Sequence, residues 1–154
     1  MSKTKREHAW LPWQRLLALW AGAGLVGNFL WELLQRPLYA GYQGAVWHLG
    51  GCLSASAVDV AILMSLYAAM ALSLREALWC RRLSVGRLLL LTTLGFAVAV
   101  AIEQWALARG RWSYGPKMPL VPLLGVGWVP VLQMVLIPVG LALMSRGLAA
   151  DRAT

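Results

Sequence analysis

Residues 53–74 read LSASAVDVAILMSLYAAMALSL and contain a single charged side chain, that of Asp59. A helix of about 20 apolar residues is long enough to cross the hydrocarbon of a bilayer, and this run reaches that length. Three further stretches share its composition, at about 16–34, 88–108 and 118–145. Backbone groups in lipid must find partners within their own segment, which favours helices. The sequence therefore predicts an all-α integral membrane bundle of four transmembrane helices, forming a single domain over residues 1–154.

The overall composition agrees with a membrane protein. Hydrophobic residues make up 60% of the 154 residues and charged residues 13%, against about 45–50% and about 25% in soluble domains. The net charge is +8, but so apolar a chain cannot cover a water-soluble surface, so we expect no nucleic-acid partner. Two cysteines, Cys52 and Cys80, form no disulfide framework and no CxxC motif.

Positive charges in the short connections predict the orientation. Ten of the 14 Lys and Arg residues lie in the amino-terminal segment, in the connection between the second and third helices and in the carboxyl tail. The other four are Arg36, Arg109, Arg111 and Lys117. Cytoplasmic loops carry the excess of Lys and Arg, so we expect both termini in the cytoplasm and a multi-pass protein of a bacterial-type inner membrane. The first apolar stretch continues past its small residues to Leu34, so we expect a retained helix rather than a cleaved signal peptide.

Three acidic residues interrupt the apolar stretches, and all fall in the outer half of the predicted bundle. Glu32 lies near the outer end of the first helix, Asp59 about two turns inside the second, and Glu103 about one turn from the outer end of the third. A carboxyl group in hydrocarbon is costly and usually faces the bundle interior with a partner. We therefore expect the three acids to meet in one pocket. The two outer loops, residues 35–48 and 108–119, are rich in aromatic, Gly and Pro residues and are expected to cover it.

The two halves of the chain share a pattern. Glu32 is followed by Tyr39 and then Asp59, and Glu103 is followed by Tyr114 and then Gln133. Each half would be an outward helix, a loop with a tyrosine and an inward helix with a buried polar group. This pattern is compatible with a parallel two-helix repeat with a site at its interface.

The second half resembles the small bacterial lycopene-cyclase-type carotenoid membrane proteins. The resemblance covers residues 103–137 and rests on Glu103-Gln104-Trp105, Gly110-Arg111-Trp112-Ser113-Tyr114, Pro122, Gly127 and Pro130-Val131-Leu132-Gln133. In that family a helix ends with an acid, a Gly-x-Trp-x-Tyr-like loop follows, and the next helix opens with Pro-x-Glu-Glu. Its members cyclise or modify isoprenoid chains within the membrane. Where the family has Pro-x-Glu-Glu, this chain has Pro130-Val131-Leu132-Gln133. The amide of Gln133 cannot protonate an alkene. The resemblance therefore supports the architecture better than the reaction.

The first functional hypothesis is an enzyme that modifies or cyclises an isoprenoid or other lipid by acid catalysis. A low-dielectric site can keep a carboxyl group protonated, and aromatic faces can stabilise a cation. The catalytic candidates are Glu32, Asp59 and Glu103. The candidates for substrate binding are Arg36, Tyr39, His48, Trp105, Arg109, Trp112, Tyr114 and Gln133. We expect no cofactor and no metal.

Other interpretations of the same residues stay open. Glu32 could pair with Arg36 one helical turn later, and Glu103 with an outer-loop arginine, which would only fasten the loops. His48 with the three acids could hold a metal, and Cys52 with His48 could form a nucleophilic pair. Asp59 could relay protons in a small proton-coupled transporter acting as a dimer. The chain could also be a non-enzymatic assembly subunit, with a homodimer or other membrane subunits as partners.

Overall fold

Four long helices account for most of the computed structural model, which describes residues 12–41 and 45–150, with side chains for 13–41 and 49–146. The helices are α1 (Pro12–Gln35), α2 (Ala45–Leu74), α3 (Val85–Ala108) and α4 (Trp128–Ala150). Each is long and apolar enough to cross a membrane, over Trp13–Leu38, Leu49–Leu74, Val85–Ala108 and Trp128–Arg146. The described part of the chain is thus all-helical, and its four spanning helices indicate a multi-pass membrane protein.

Local sequence explains where the helices end. Pro37 lies in a 3₁₀ turn, Arg36–Leu38, directly after α1, because proline has no N–H to donate within a helix. The side chain of Ser84 accepts a hydrogen bond from the backbone N–H of Arg87 and so caps the start of α3. Gly110 follows α3 with a positive φ of 63°, a conformation that favours glycine.

The fourth predicted helix begins later than we expected. Residues 118–127 are not helical: the backbone N–H of Val121 donates to Val126 at 2.7 Å and that of Trp128 donates to Pro119 at 2.8 Å, which closes a tight turn. This segment is as apolar as a spanning helix, which misled the sequence prediction of 118–145. Its two prolines remove helical donors, and φ is positive at Leu123 and Gly125. In contrast, α2 starts at Ala45 rather than at residue 53.

The helices pack in the order α2, α1, α4, α3. Extensive interfaces join α1 to α2, α1 to α4 and α3 to α4, whereas α2 and α3 touch sparsely. We call the end of the bundle with residues 36–41 and 109–127 the loop end, and the opposite end, with residues 75–84, the hairpin end. The bundle is therefore closed on three sides and open between α2 and α3.

An aromatic cluster closes the hairpin end. Trp20, Tyr67 and Trp79 are buried, with ring centroids 5.0–5.9 Å apart. Their polar atoms are satisfied: the Trp20 indole donates to Ser145 at 3.1 Å and the Tyr67 hydroxyl donates to the carbonyl of Ala77 at 2.6 Å. Because these rings fill the hairpin end, a cavity in the bundle must lie nearer the loop end.

One close helix contact supports the wall of that cavity. Pro138 lies inside α4 and cannot donate to the carbonyl four residues earlier, that of Met134. Gly95 of α3 packs directly against this carbonyl, and a β-carbon at Gly95 would clash with it. The pair Gly95 and Pro138 thus brings α3 close to α4 at the level of Met134.

Candidate functional site

A pocket of about 600 Å³ lies near the loop end and is bounded by all four helices and both loops. Its wall combines three acids, two arginines, two amides, five aromatic or sulfur-bearing residues, and eight small or aliphatic residues. The lining residues are Glu32, Gln35, Arg36, Tyr39, Gly51, Cys52, Ser54, Ala55, Val58, Asp59, Ile62, Ala99, Ile102, Glu103, Trp105, Arg111, Trp112, Pro130, Gln133 and Met134. The volume is within the range of small-molecule sites.

The structure brings together the three acids on which the sequence analysis concentrated. Glu32 comes from α1, Asp59 from α2 and Glu103 from α3, and all three line the pocket. Glu103 is 5% exposed, and the other two are partly buried. Acids on separate helices that face one cavity, rather than the lipid, are the arrangement expected of functional intramembrane carboxyl groups.

Gln133 of α4 connects Asp59 of α2 to the amide side chains of α1. Its side-chain nitrogen donates to Asp59 at 2.9 Å and to Asn28 at 2.8 Å. Its side-chain oxygen accepts from Gln35 at 3.1 Å, and the same Gln35 nitrogen donates to Glu32 at 2.6 Å. A single buried amide therefore links α4 to α1 and α2, and it uses its two donors and its acceptor to do so.

The direction of this amide network is fixed by the backbone. The side-chain nitrogen of Asn28 donates to the carbonyl of Gly24 at 2.8 Å. The side-chain oxygen of Asn28 therefore faces Gln133 and accepts a hydrogen bond from the Gln133 nitrogen. The oxygen of Gln133 in turn faces the nitrogen of Gln35. Each amide thus determines the orientation of the next, and the donors at the end of the network point to the carboxyl groups of Glu32 and Asp59.

The carboxyl group of Glu103 is held by the second loop. Its Oε2 atom accepts a hydrogen bond from the Trp112 indole at 3.3 Å and a short one from the Tyr114 hydroxyl. The Tyr114 oxygen also accepts from the backbone N–H of Gly127 at 2.8 Å. Burial and the neighbouring carboxyl group raise the pKa of Tyr114 above its usual range, which keeps its hydroxyl protonated as a donor.

The two loops pair over the pocket. Tyr39 and Tyr114 form an antiparallel bridge, with the N–H of Ala40 donating to Ser113 at 2.9 Å and that of Gly115 donating to Leu38 at 2.7 Å. The Tyr39 ring lies 5.6 Å from that of Tyr114 and 6.4 Å from that of Trp112, between centroids. Burial raises the pKa of Tyr39 as well. Tyr39, Trp112 and Tyr114 therefore form an aromatic cover. The first loop is shorter than the predicted segment 35–48, because α2 begins at Ala45, and the side chains of residues 42–48 lie outside the described part of the chain.

Other predicted binding residues are distributed unevenly. Arg36 lines the pocket, and its guanidinium carbon lies 5.9 Å from the centroid of the Tyr39 ring. Trp105 also lines it, although its side chain is 53% exposed. Arg109 is exposed and lies outside the lining. The side chain of His48 lies outside the described residues, so neither the metal set nor the nucleophilic pair that includes it is described.

Uncharged side chains supply hydrogen bonds to both acids that were expected to pair with outer-loop arginines. The carboxyl groups of Glu32 and Glu103 bond to Gln35 and to the loop aromatics. At the hairpin end, an ion pair joins Arg87 to Glu76 at 2.7 Å. Within the same part of the chain, no three His, Cys, Asp or Glu residues are grouped as a metal site.

Two amide residues of the hydrogen-bond network were missed in the sequence analysis, although a signal was present. Asn28 and Gln35 are both buried and lie four residues before and three residues after Glu32. Positions i, i+4 and i+7 share one face of a helix. A polar face on an otherwise apolar spanning helix could therefore have identified both amides as partners of the acid.

Comparison of the chain with protein-family models, with curated proteins and with solved structures finds no match.

Proposed function

We propose that the protein is a membrane-embedded enzyme that rearranges an isoprenoid or other unsaturated lipid by acid catalysis. The observation that carries the proposal is the convergence of Glu32, Asp59 and Glu103, from three helices, on one pocket with an apolar floor. The distribution of positive charges supports the loop end as the extracytoplasmic end, in a bacterial-type inner membrane. The proposed reaction uses no cofactor. We also propose that the two halves of the chain are a parallel two-helix repeat with the site at its interface.

The proposed chemistry needs one proton donor and one proton acceptor. Protonated Glu32 or Glu103 adds its proton to a carbon–carbon double bond, whose π electrons form the new C–H bond and leave a carbocation. The cation rearranges or closes a ring, and a second carboxylate, Asp59, removes a proton and restores a double bond. Proton transfer between the acids then resets the site, so the substrate is isomerised without net loss of atoms.

Aromatic and amide side chains support these steps. In this proposal the faces of Trp105 and Trp112, which line the pocket, provide negative π density for a carbocation. Tyr114 lies outside the lining and holds Glu103 instead. Gln133 stands where the carotenoid proteins that the chain resembles have an acid, and it is hydrogen-bonded to Asp59. In this proposal α2 supplies the carboxyl group that α4 lacks, and Gln133 positions it.

Substitution of each acid tests the proposal. Glu32→Gln, Asp59→Asn and Glu103→Gln are expected to keep the fold, because each amide is nearly isosteric, and to change the lipid and pigment profile of cells that express the protein. Glu76→Gln is the matched control, because Glu76 lies at the hairpin end and outside the pocket lining. If all three pocket variants leave that profile unchanged, the enzymatic proposal is wrong.

The same variants separate the competing functions. An assembly subunit would keep its function in Glu103→Gln as long as it remained folded and bound to its partner. A proton-coupled transporter would show pH-dependent flux in proteoliposomes that disappears in Asp59→Asn. Mass spectrometry of the lipid that co-purifies with the protein completes the test: a specific polyprenoid supports the enzyme, and bulk phospholipid alone contradicts it.

A further inference from the structure

The pocket opens sideways, between α2 and α3. These two helices touch sparsely, in contrast to the pairs α1–α2, α1–α4 and α3–α4, and both contribute lining residues. Val58 of α2 and Trp105 of α3 belong to the lining and are 61% and 53% exposed. Val58 lies nine residues inside the spanning segment Leu49–Leu74. Because a helix rises about 1.5 Å per residue, this side of the pocket faces lipid chains rather than water.

The polar lining is ordered along the membrane normal. Arg36 and Arg111 belong to the loops, beyond the ends of α1 and α3. Glu32 and Glu103 lie about one turn inside these ends. The apolar residues that line the pocket furthest from the loop end are Ile62, Ala99 and Met134. A basic rim, an acidic middle and an apolar floor therefore succeed one another towards the bilayer centre.

We infer that the pocket takes a single-chain amphiphile with a phosphate head group, which enters from the adjacent leaflet between α2 and α3. This inference deepens the function proposed above and rests on the same pocket. A lipid in that leaflet has its head at the interface and its tail towards the midplane, which matches a basic rim over an apolar floor. Arginine forks fit phosphate oxygens better than a neutral hydroxyl group.

The same order of residues determines which part of the ligand meets the acids. With its phosphate at Arg36 and Arg111, the ligand lays the first part of its chain beside Glu32 and Glu103, and its end reaches Ile62 and Met134. Bulk phospholipid has the same head-group chemistry but two chains, and a pocket of about 600 Å³ is small for both. Because a single-chain phosphate amphiphile and a bulk phospholipid share this head-group chemistry, the experiment must distinguish binding of one from binding of the other.

Binding to the purified full chain in nanodiscs provides that experiment. The probes are farnesyl monophosphate, farnesol, inorganic phosphate and added phosphatidylglycerol, with quenching of tryptophan fluorescence or native mass spectrometry as readout. We expect farnesyl monophosphate to bind more tightly than farnesol, inorganic phosphate not to bind, and phosphatidylglycerol not to displace the prenyl phosphate. Equal binding of the phosphate and the alcohol, or displacement by phosphatidylglycerol, would overturn the inference.

Matched variants test the rim and the opening separately. Arg111→Gln should weaken farnesyl monophosphate roughly tenfold and leave farnesol unchanged, because it removes a charge-assisted contact to phosphate. Lys117→Gln removes the same charge from an exposed residue of the same loop outside the lining, and should change neither. Val58→Trp should weaken both prenyl ligands by a similar factor. Val26→Trp, at a site on α1 that is 60% exposed, is its control.

A labelling experiment covers the case in which Val58→Trp disturbs the fold. Bound farnesyl monophosphate should slow maleimide labelling of Val58→Cys but not of Val26→Cys. Equal labelling of both sites with and without ligand would contradict entry between α2 and α3. Binding without any turnover would refute the proposed enzymatic function and leave this inference standing, so the two failures are distinguishable.

Discussion

The side-chain nitrogen of Gln133 lies 2.9 Å from a carboxyl oxygen of Asp59, and this contact ties α4 to α2 across the pocket. The two residues are 74 positions apart, and Gln133 is 2% exposed. A buried amide with all its donors used holds its neighbours in one arrangement, because any displacement leaves polar groups unpaired. We therefore regard Gln133 as the residue that positions the amides of the site and two of its acids, Asp59 directly and Glu32 through Gln35.

Gln133→Leu should destabilise the protein by about 1–3 kcal/mol, because it leaves Asp59 and the Asn28 oxygen without this donor in a buried site. Thermal denaturation of the detergent-solubilised chain measures the effect. Gln104→Leu is the control, since Gln104 is exposed and makes one long contact, 3.5 Å, to the carbonyl of Leu124. Equal melting temperatures for both variants would contradict the role of Gln133.

The sequence predicts the helices well because lone charges and long apolar runs are local signals. It places Glu32, Asp59 and Glu103 in the outer half of the bundle by counting turns from the helix ends, although Asp59 lies further inside its helix than the two turns expected, because α2 begins at Ala45. It does not show that Gln133 bridges helices, because this depends on which faces of α1, α2 and α4 meet. Nor does it distinguish the apolar turn at residues 118–127 from a helix, since composition there resembles a span and only the prolines and Gly125 indicate the turn.

Gly95→Ala should be strongly destabilising, by about 1–3 kcal/mol or more, because the new methyl group would clash with the Met134 carbonyl. Backbone on both sides leaves little room for relaxation, so α3 must move away from α4, next to Gln133. Gly22→Ala is the matched control: its β-carbon meets nothing within 4 Å, and it should be neutral or stabilising by up to about 1 kcal/mol. Unfolding curves that coincide for the two variants would refute this close packing.

Tyr114→Phe should loosen the second loop and change the environment of Glu103. The variant removes the donor to Glu103 and the acceptor of the Gly127 N–H, and we expect a loss of about 1–2 kcal/mol. Hydrogen exchange should rise at the Gly127 amide, which identifies the loop rather than the helices as the affected part. Ser113→Ala, in the same loop, keeps the backbone carbonyl that accepts from Ala40; a similar rise in that variant would contradict the role assigned to the Tyr114 hydroxyl.

Cys80 should resist alkylation in the folded protein. It is fully buried at the hairpin end, and burial raises the pKa of its thiol to about 12, so at neutral pH the reactive thiolate is almost absent. Peptide mass spectrometry after iodoacetamide treatment should find Cys80 unmodified until the chain is denatured. In a Cys80→Ala background, Arg82→Cys introduces an exposed thiol two residues away as the positive control.

The same shift gives the stability of the protein a dependence on pH. An unfolded cysteine loses its proton near pH 8.5, whereas folded Cys80 keeps it up to about pH 12. Between these values the unfolded state binds fewer protons, so the free energy of unfolding falls as the pH rises. Below about pH 8.5 the contribution is fully present. Denaturation at pH 8 and pH 10 should show a loss of stability that Cys80→Ala reduces; an identical loss in that variant would mean that other groups cause it.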